Sequence, residues 1–293
     1  MSPMVHQQVP GRAVTVRRVD FGFNERRIQH HFADGDPVMS HLLAMLSGLF
    51  PAGEDFFVRS VRAYRNEITD PELKRQVRGF IGQEAIHGRE HRHLNECLAA
   101  LGYPTGAIDR FVNWQFRLSE RLPGRSRRLA VTAALEHYTA TLAEVLLTDE
   151  RARNMVDPDI RNLLLWHALE ESEHKSVAFD VYQHVSGNDR VRCLVMNTTT
   201  VGFIGVTVVW TAASLARDPA TWRHPVRVLR SLAGVRRSPW LTAAVWHRLR
   251  DYNRPGFHPD QHDSTAVLEQ WKATLFGDDG VLADQLDPPA VAS

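Results

Sequence analysis

The chain has 293 residues, enough for one large domain or two small ones with a sizeable buried core. Hydrophobic residues make up 43% and charged residues 24%, the balance of a soluble globular protein, and a formal net charge of +1 gives no pull toward nucleic acid. Cys97 and Cys193 stand in neither zinc nor redox spacing, which excludes a disulfide scaffold and points to a reducing compartment. Met1 to Arg18 contains no apolar signal-peptide run, so a cytoplasmic location is expected, with one complication from a later segment.

Residues 1–35 read as an N-terminal arm holding a short alternating stretch, Val14-Thr15-Val16-Arg17-Arg18-Val19. Asp36-Pro37 is an N-cap followed by proline at the first helical position, predicting a helix to about Glu67. Asp70-Pro71 repeats the signal for a second helix, closed by Gly102 and Pro104. A connecting helix is predicted from Ile108 to Leu122, a third long helix from Arg125 to Asp149, and a fourth from Asp157-Pro158 to Ser186-Gly187. Residues 36–187 are therefore predicted to form an all-α four-helix bundle with one longer crossover, with residues 188–293 as additional C-terminal helices and a tail.

Within that C-terminal part, the 23 residues from Leu194 to Ala216 carry no charge, a length that could cross a bilayer. Seven Asn, Thr and Ser residues make the run a polar candidate, and Arg217, Arg223, Arg227, Arg230, Arg236, Arg237, Arg248 and Arg250 follow, interleaved with Trp222, Trp240 and Trp246. Two readings stand: a helix packed on the bundle or between two copies of the chain, or a segment in or on the inner face of a membrane. The membrane reading favours a lipid-like substrate.

The informative residues are acids and imidazoles on helix faces that should be apolar. On the second helix, Glu84, His87 and His91 interrupt the stripe of Val77, Phe80, Ile81, Leu94 and Leu98. On the fourth, His167, Glu171 and His174 follow one another at spacings of four and three along one face. Glu54 lies among Leu46, Phe50, Phe57 and Val61, and Glu136 shares a face with Ala140, Ala143 and Leu147. A buried carboxylate costs several kcal/mol or more without a counter-charge, and a metal ion supplies one. The resulting order, Glu54, Glu84-x-x-His87, Glu136, Glu171-x-x-His174, is the recurring ligand set of ferritin-like di-iron and di-manganese proteins. Glu170 and Glu173 compete with Glu171, which alone sits both three before His174 and four after His167. His167 is either a seventh ligand or a donor behind the ligands, and His91 is expected to orient a ligand carboxylate. His258, Asp260, His262 and Asp263 match no standard metal spacing and read as a cap or lid loop.

Three motifs, Pro51-Ala52-Gly53-Glu54-Asp55-Phe56-Phe57, Gln83-Glu84-Ala85-Ile86-His87 and Trp166-His167-Ala168-Leu169-Glu170-Glu171-Ser172-Glu173-His174-Lys175, together with Arg254-Pro255-Gly256-Phe257-His258-Pro259, resemble the bacterial family labelled "predicted metal-dependent hydrolase" over roughly residues 15–275. The His167-x-x-x-Glu171-x-x-His174 spacing is also similar to di-iron aryl-amine N-oxygenases, which add a third histidine. That likeness implies Glu54, Glu84, His87, Glu136, His167, Glu171 and His174 as ligands to two metal ions, iron or alternatively manganese.

Three functions follow in order of expectation. The first is a dinuclear iron enzyme that activates O₂ to oxidise a small or apolar organic substrate, using an electron donor. The second is a dinuclear hydrolase acting through metal-activated water. The third is a non-catalytic metal-binding bundle.

Overall fold

The computed structural model describes residues 14–23 and 27–286, apart from the side chain of Asp159. The rest of the expected N-terminal arm and the last residues of the tail lie outside that range. Among the described residues the chain is helical, with one isolated antiparallel bridge joining Val19 to Leu286.

Four elements carry the bundle: α1 (Pro37–Arg62), α2 (Pro71–Ala100), α4 (Arg125–Thr148) and the fourth member, split into α6 (Pro158–His174) and α7 (Val177–Val185). Helix α3 (Thr105–Arg121) connects α2 to α4, and a single turn, α5 (Glu150–Asn154), leads into α6. The capping predicted at the first two Asp-Pro pairs is present. Asp36 accepts from the Met39 amide and Asp70 from the Glu72 amide, both at 2.8 Å. Helix α1 packs on α2, and α4 on α6 and α7; contacts of α1 with α4, and of α2 with α6 and α7, close the ring.

Two boundaries differ from expectation. Helix α1 stops at Arg62 because its last turn tightens, the Tyr64 amide taking the Val61 carbonyl at 3.0 Å, while the guanidinium of Arg125 claims the Ala63 carbonyl. The predicted fourth helix breaks for two residues at Lys175–Ser176. There the buried Lys175 ammonium reaches out of the bundle to the His262 carbonyl and the Ser264 hydroxyl.

The C-terminal elements wrap the bundle: α8 (Asp189–Arg217), α9 (Pro219–Arg223), α10 (Pro225–Val235), α11 (Ala243–Asp251) and α12 (Thr265–Phe276). Helix α8 lies on α1 and α4, α10 on α1, α11 on α4, and α12 on α6. Arg192, fully buried in α8, donates to the carbonyls of Tyr252 and Arg254 and lies over the rings of Phe179 and Tyr252. Helix α8 is long and apolar enough, by length and composition alone, to cross a membrane. One face is held by the protein through Val195, Met196, Thr211, Ser214 and Leu215, whereas Leu194, Val201, Val208 and Val209 face outward, Val201 at 75% exposure.

The described arm runs against α2, where Gly79 and Gly82 leave room for it. A Cβ on Gly79 would run into the Val14 carbonyl oxygen, and one on Gly82 into a Val16 methyl. Gly79→Ala gains about 1 kcal/mol of helix propensity, but overpacking costs about 1–3 kcal/mol. Because the obstructing atom is backbone and cannot rotate away, the clash is expected to win. Urea denaturation should show lower stability, and trypsin should cut faster at Arg17 and Arg18.

Candidate metal centre

All seven residues singled out by the helix patterns converge inside the bundle, each no more than 4% exposed. Glu54 comes from α1, Glu84 and His87 from α2, Glu136 from α4, and His167, Glu171 and His174 from α6. Two groups form. Donor atoms of Glu54, His87 and His167 lie within 4.8 Å of one another, as do those of Glu84, Glu171 and His174. The His174 Nε2 is 3.0 Å from Glu84, 3.3 Å from Glu136 and 3.6 Å from Glu171. Glu171 also stands 2.8 Å from the His167 Nε2 and 3.6 Å from the His87 Nδ1, so this one carboxylate lies between the two groups.

The far side of each imidazole is tied to a defined partner. His87 Nε2 meets Glu170 at 3.0 Å, and Glu170 is held by Arg17 at 3.0 Å. His174 Nδ1 meets the Gln83 carbonyl oxygen at 2.8 Å, and the Gln83 amide donates to Glu173 at 2.9 Å. Arg17 grips Glu173 with two bonds of 2.8 Å. A carboxylate and an amide oxygen accept only, so the imidazole proton sits on the outer nitrogen and the inner nitrogen presents its lone pair.

His167 obeys the same logic through a longer relay. Pro51 has no N–H, which leaves the Ser47 carbonyl of α1 without its helical donor, and the Asn95 amide fills that place at 2.9 Å. This fixes the Asn95 oxygen toward the Ser47 hydroxyl, which donates to it at 2.8 Å. Ser47 must then accept from His91 Nδ1 at 2.9 Å, leaving His91 Nε2 to accept from His167 Nδ1 at 2.8 Å. His91 therefore orients an imidazole, not the carboxylate expected from the helix pattern.

The inner atoms lack donors. Both oxygens of Glu54, Glu84 and Glu136, one of Glu171, His87 Nδ1 and His174 Nε2 are buried without a hydrogen-bond partner. The inner nitrogens of three imidazoles face carboxylate oxygens at 2.8–3.9 Å, an arrangement that repels unless a proton or a metal cation sits between. Burial opposes a charge on His174, but Glu171 and Glu136 outweigh it and raise the imidazole well above its ordinary range. Burial, with Glu136 adding to it, pushes Glu84 up to about 8; burial and then Glu171 push Glu136 up to about 7. Burial, then Glu84 and Glu171, drive Glu54 well above the ordinary range, while burial and then His167 hold His87 well below. The residues fit bound metal: buried acids supply negative charge that divalent cations cancel, and the donor atoms gather in groups able to hold an ion.

The family model described as "predicted metal-dependent hydrolase" matches residues 15–263. The chain belongs to that family. Comparison with curated proteins and with solved structures finds no match. Family membership supports metal dependence, and buried histidine–carboxylate clusters able to hold metal lie in the chain's interior.

Several residues around the centre escape sequence patterns. Arg17 belongs to the arm, more than 150 positions from Glu170 and Glu173, and no local signal points to it. Gln83 stands next to Glu84 in a quoted motif but has an unremarkable side chain for a helix. Phe50, Phe80 and Trp166 wall the histidines, with ring centroids 4.7, 5.0 and 4.8 Å from His167, His174 and His87.

The cluster at residues 258–263 lies apart from this centre. His258 pairs with Asp180 of α7 at 2.8 Å, His262 with Asp251 at 3.1 Å, and Asp263 accepts from the Thr265 amide at 2.9 Å. Together they fasten the loop between α11 and α12. Burial opposes a charge on His258, but Asp180 outweighs it and raises the imidazole above its usual range. A raised folded-state value stabilises the protein at pH below the unfolded value of about 6.5, and this is lost as pH climbs through the folded value. His258→Gln should therefore cost about 1 kcal/mol near pH 5.5. The gap from wild type, measured by urea denaturation, should narrow toward about pH 9.

Proposed function

We propose that the chain is a dinuclear metal-dependent hydrolase. One ion would be held by Glu54, His87 and His167, the other by Glu84, Glu136 and His174, with Glu171 shared between them. The observation that carries this reading is the set of inner imidazole nitrogens turned onto donorless carboxylates. Bound there, a metal pair supplies Lewis acidity and a water of lowered pKa. The protein's own part is to position: Arg17 with Glu170 sets His87, Arg17 with Glu173 and Gln83 sets His174, and Asn95, Ser47 and His91 set His167.

The family description supports hydrolysis over the oxygen chemistry that the ligand spacing suggests. Oxygen activation with iron stands as the second reading because of one observation. The third histidine, His167, faces the centre behind aromatic walls, a nitrogen-rich and dry setting suited to O₂. Metal analysis should find about two ions per chain, lost in Glu84→Ala and Glu171→Ala. Ester or phosphoester cleavage with manganese or zinc supports the hydrolase; oxygen uptake by the Fe(II)-loaded protein without such cleavage replaces it with the oxygenase.

A stability measurement separates metal binding from a structural role. In the metal-free chain, Glu84→Gln removes an acid that burial and Glu136 disfavour, so its melting temperature should rise above wild type. Added metal should then stabilise the variant far less than the wild type. Arg17→Met should weaken metal affinity about 10–100-fold without touching an inner ligand.

We also infer that the exposed face of α8 lies on an anionic membrane surface, consistent with a lipid-like substrate. Residues 219–250 contain seven arginines and no acid. Trp222, Val226, Leu229 and Leu232 stand exposed beside them. Because α8 is held by α1 and α4, lying on the surface suits it better than crossing. The protein should float with anionic vesicles and not with zwitterionic ones, and Arg227→Gln/Arg230→Gln should abolish it. Dimerisation in vesicle-free buffer with no flotation would show instead that a second copy covers this face.

A further inference from the structure

Far from the bundle interior, three imidazoles converge on one carboxylate oxygen. The Nε2 atoms of His30, His31 and His41 lie 3.0, 3.1 and 3.2 Å from the Asp218 Oδ2. They come from three parts of the chain. His30 and His31 open the turn before α1, a tight one in which Asp34 and Gly35 take φ of 48° and 70°. His41 is in the first turns of α1, and Asp218 caps α9 at the end of α8. His41 and Asp218 are buried, His31 is nearly so, and His30 forms the open side at 41% exposure.

Hydrogen bonding alone accounts poorly for this geometry. A carboxylate offers about two lone-pair directions per oxygen. Here Oδ2 faces three ring nitrogens, while Oδ1 already accepts from the Ala220 amide at 2.8 Å. His41 Nδ1 meets the Ser214 hydroxyl at 2.7 Å, an outer partner of the kind that orients a ligating histidine. The spacing fits a four-coordinate metal: bonds of about 2.0–2.1 Å place tetrahedral ligand atoms about 3.3 Å apart. The observed 3.0–3.2 Å from Asp218 Oδ2 are close to such edges. The donor atoms of His30, His31 and Asp218 lie within 4.8 Å of one another, while His41 stands outside that group and would swing in to complete four ligands.

We propose that His30, His31, His41 and Asp218 form a second, structural metal site that takes one Zn²⁺. Three neutral imidazoles and one carboxylate are a zinc-type donor set, and four protein ligands leave no position for a substrate. The ion would fasten the segment before α1 to α1 itself and to the α8–α9 junction, across more than 170 residues of sequence.

The test is Zn²⁺ stoichiometry of the purified full chain by native mass spectrometry, comparing wild type with His30→Ala/His31→Ala. These two side chains are the most exposed of the four, so the variant should fold. Wild type should hold one more zinc ion per chain than the variant. The difference should persist when both carry Glu84→Gln/Glu171→Gln, which separates this site from the bundle centre. In that background, Co²⁺ should give one tetrahedral visible spectrum per chain, lost with Asp218→Asn. Equal zinc content in wild type and His30→Ala/His31→Ala, or Co²⁺ absorption unchanged by Asp218→Asn, would overturn the proposal.

Discussion

The structure turns on the burial of four carboxylates and three imidazoles at the centre of a helical bundle. The surrounding buried polar residues, Glu170, Glu173 and Gln83 among them, are arranged around it. The outer atoms of the imidazoles are saturated with hydrogen bonds, while most of the inner atoms have none, the 2.8 Å contact of His167 Nε2 with Glu171 excepted. A protein that only needed to bury these groups would spread partners evenly. The one-sided satisfaction instead leaves a concave set of lone pairs able to hold metal.

Supporting residues make that one-sidedness rigid. Arg17 holds Glu170 and Glu173 at once, so a single guanidinium from the arm steadies His87 through Glu170 and His174 through Glu173 and Gln83. Pro51 acts by what it lacks: the carbonyl released from the α1 ladder anchors Asn95, and the proton order of the Ser47–His91–His167 chain follows from it. A backbone irregularity in one helix thereby sets the tautomer of a histidine on another. Glycines at 79 and 82 let the arm lie close enough to α2 for Arg17 to arrive.

The C-terminal helices divide between packing and surface. Arg192, Tyr252 and Phe257 lock the start of α8 and the loop after α11 onto α7, and His258 and His262 add hydrogen-bonded ties to Asp180 and Asp251. The outer face of α8 and the arginine-bearing α9 and α10 remain exposed, apolar side chains beside cationic ones. The chain thus pairs a sealed polar interior with an apolar, basic exterior on one side.

Much of the fold was legible in the sequence because Asp-Pro caps and helical periodicity are local signals. The seven inner residues were legible as well, since helical spacing alone places Glu84 with His87 and His167 with Glu171 and His174 on inward faces. Spacing could not show which acid lies between the two groups, nor that His91 serves an imidazole. It also missed the break at Lys175–Ser176, which depends on a lysine reaching a loop almost ninety residues away. Arg17 and the gathering of His30, His31, His41 and Asp218 were invisible for the same reason. Periodicity reports the direction of a side chain from its own helix, whereas a partner more than a hundred residues distant is chosen only when the packed helices bring the two together.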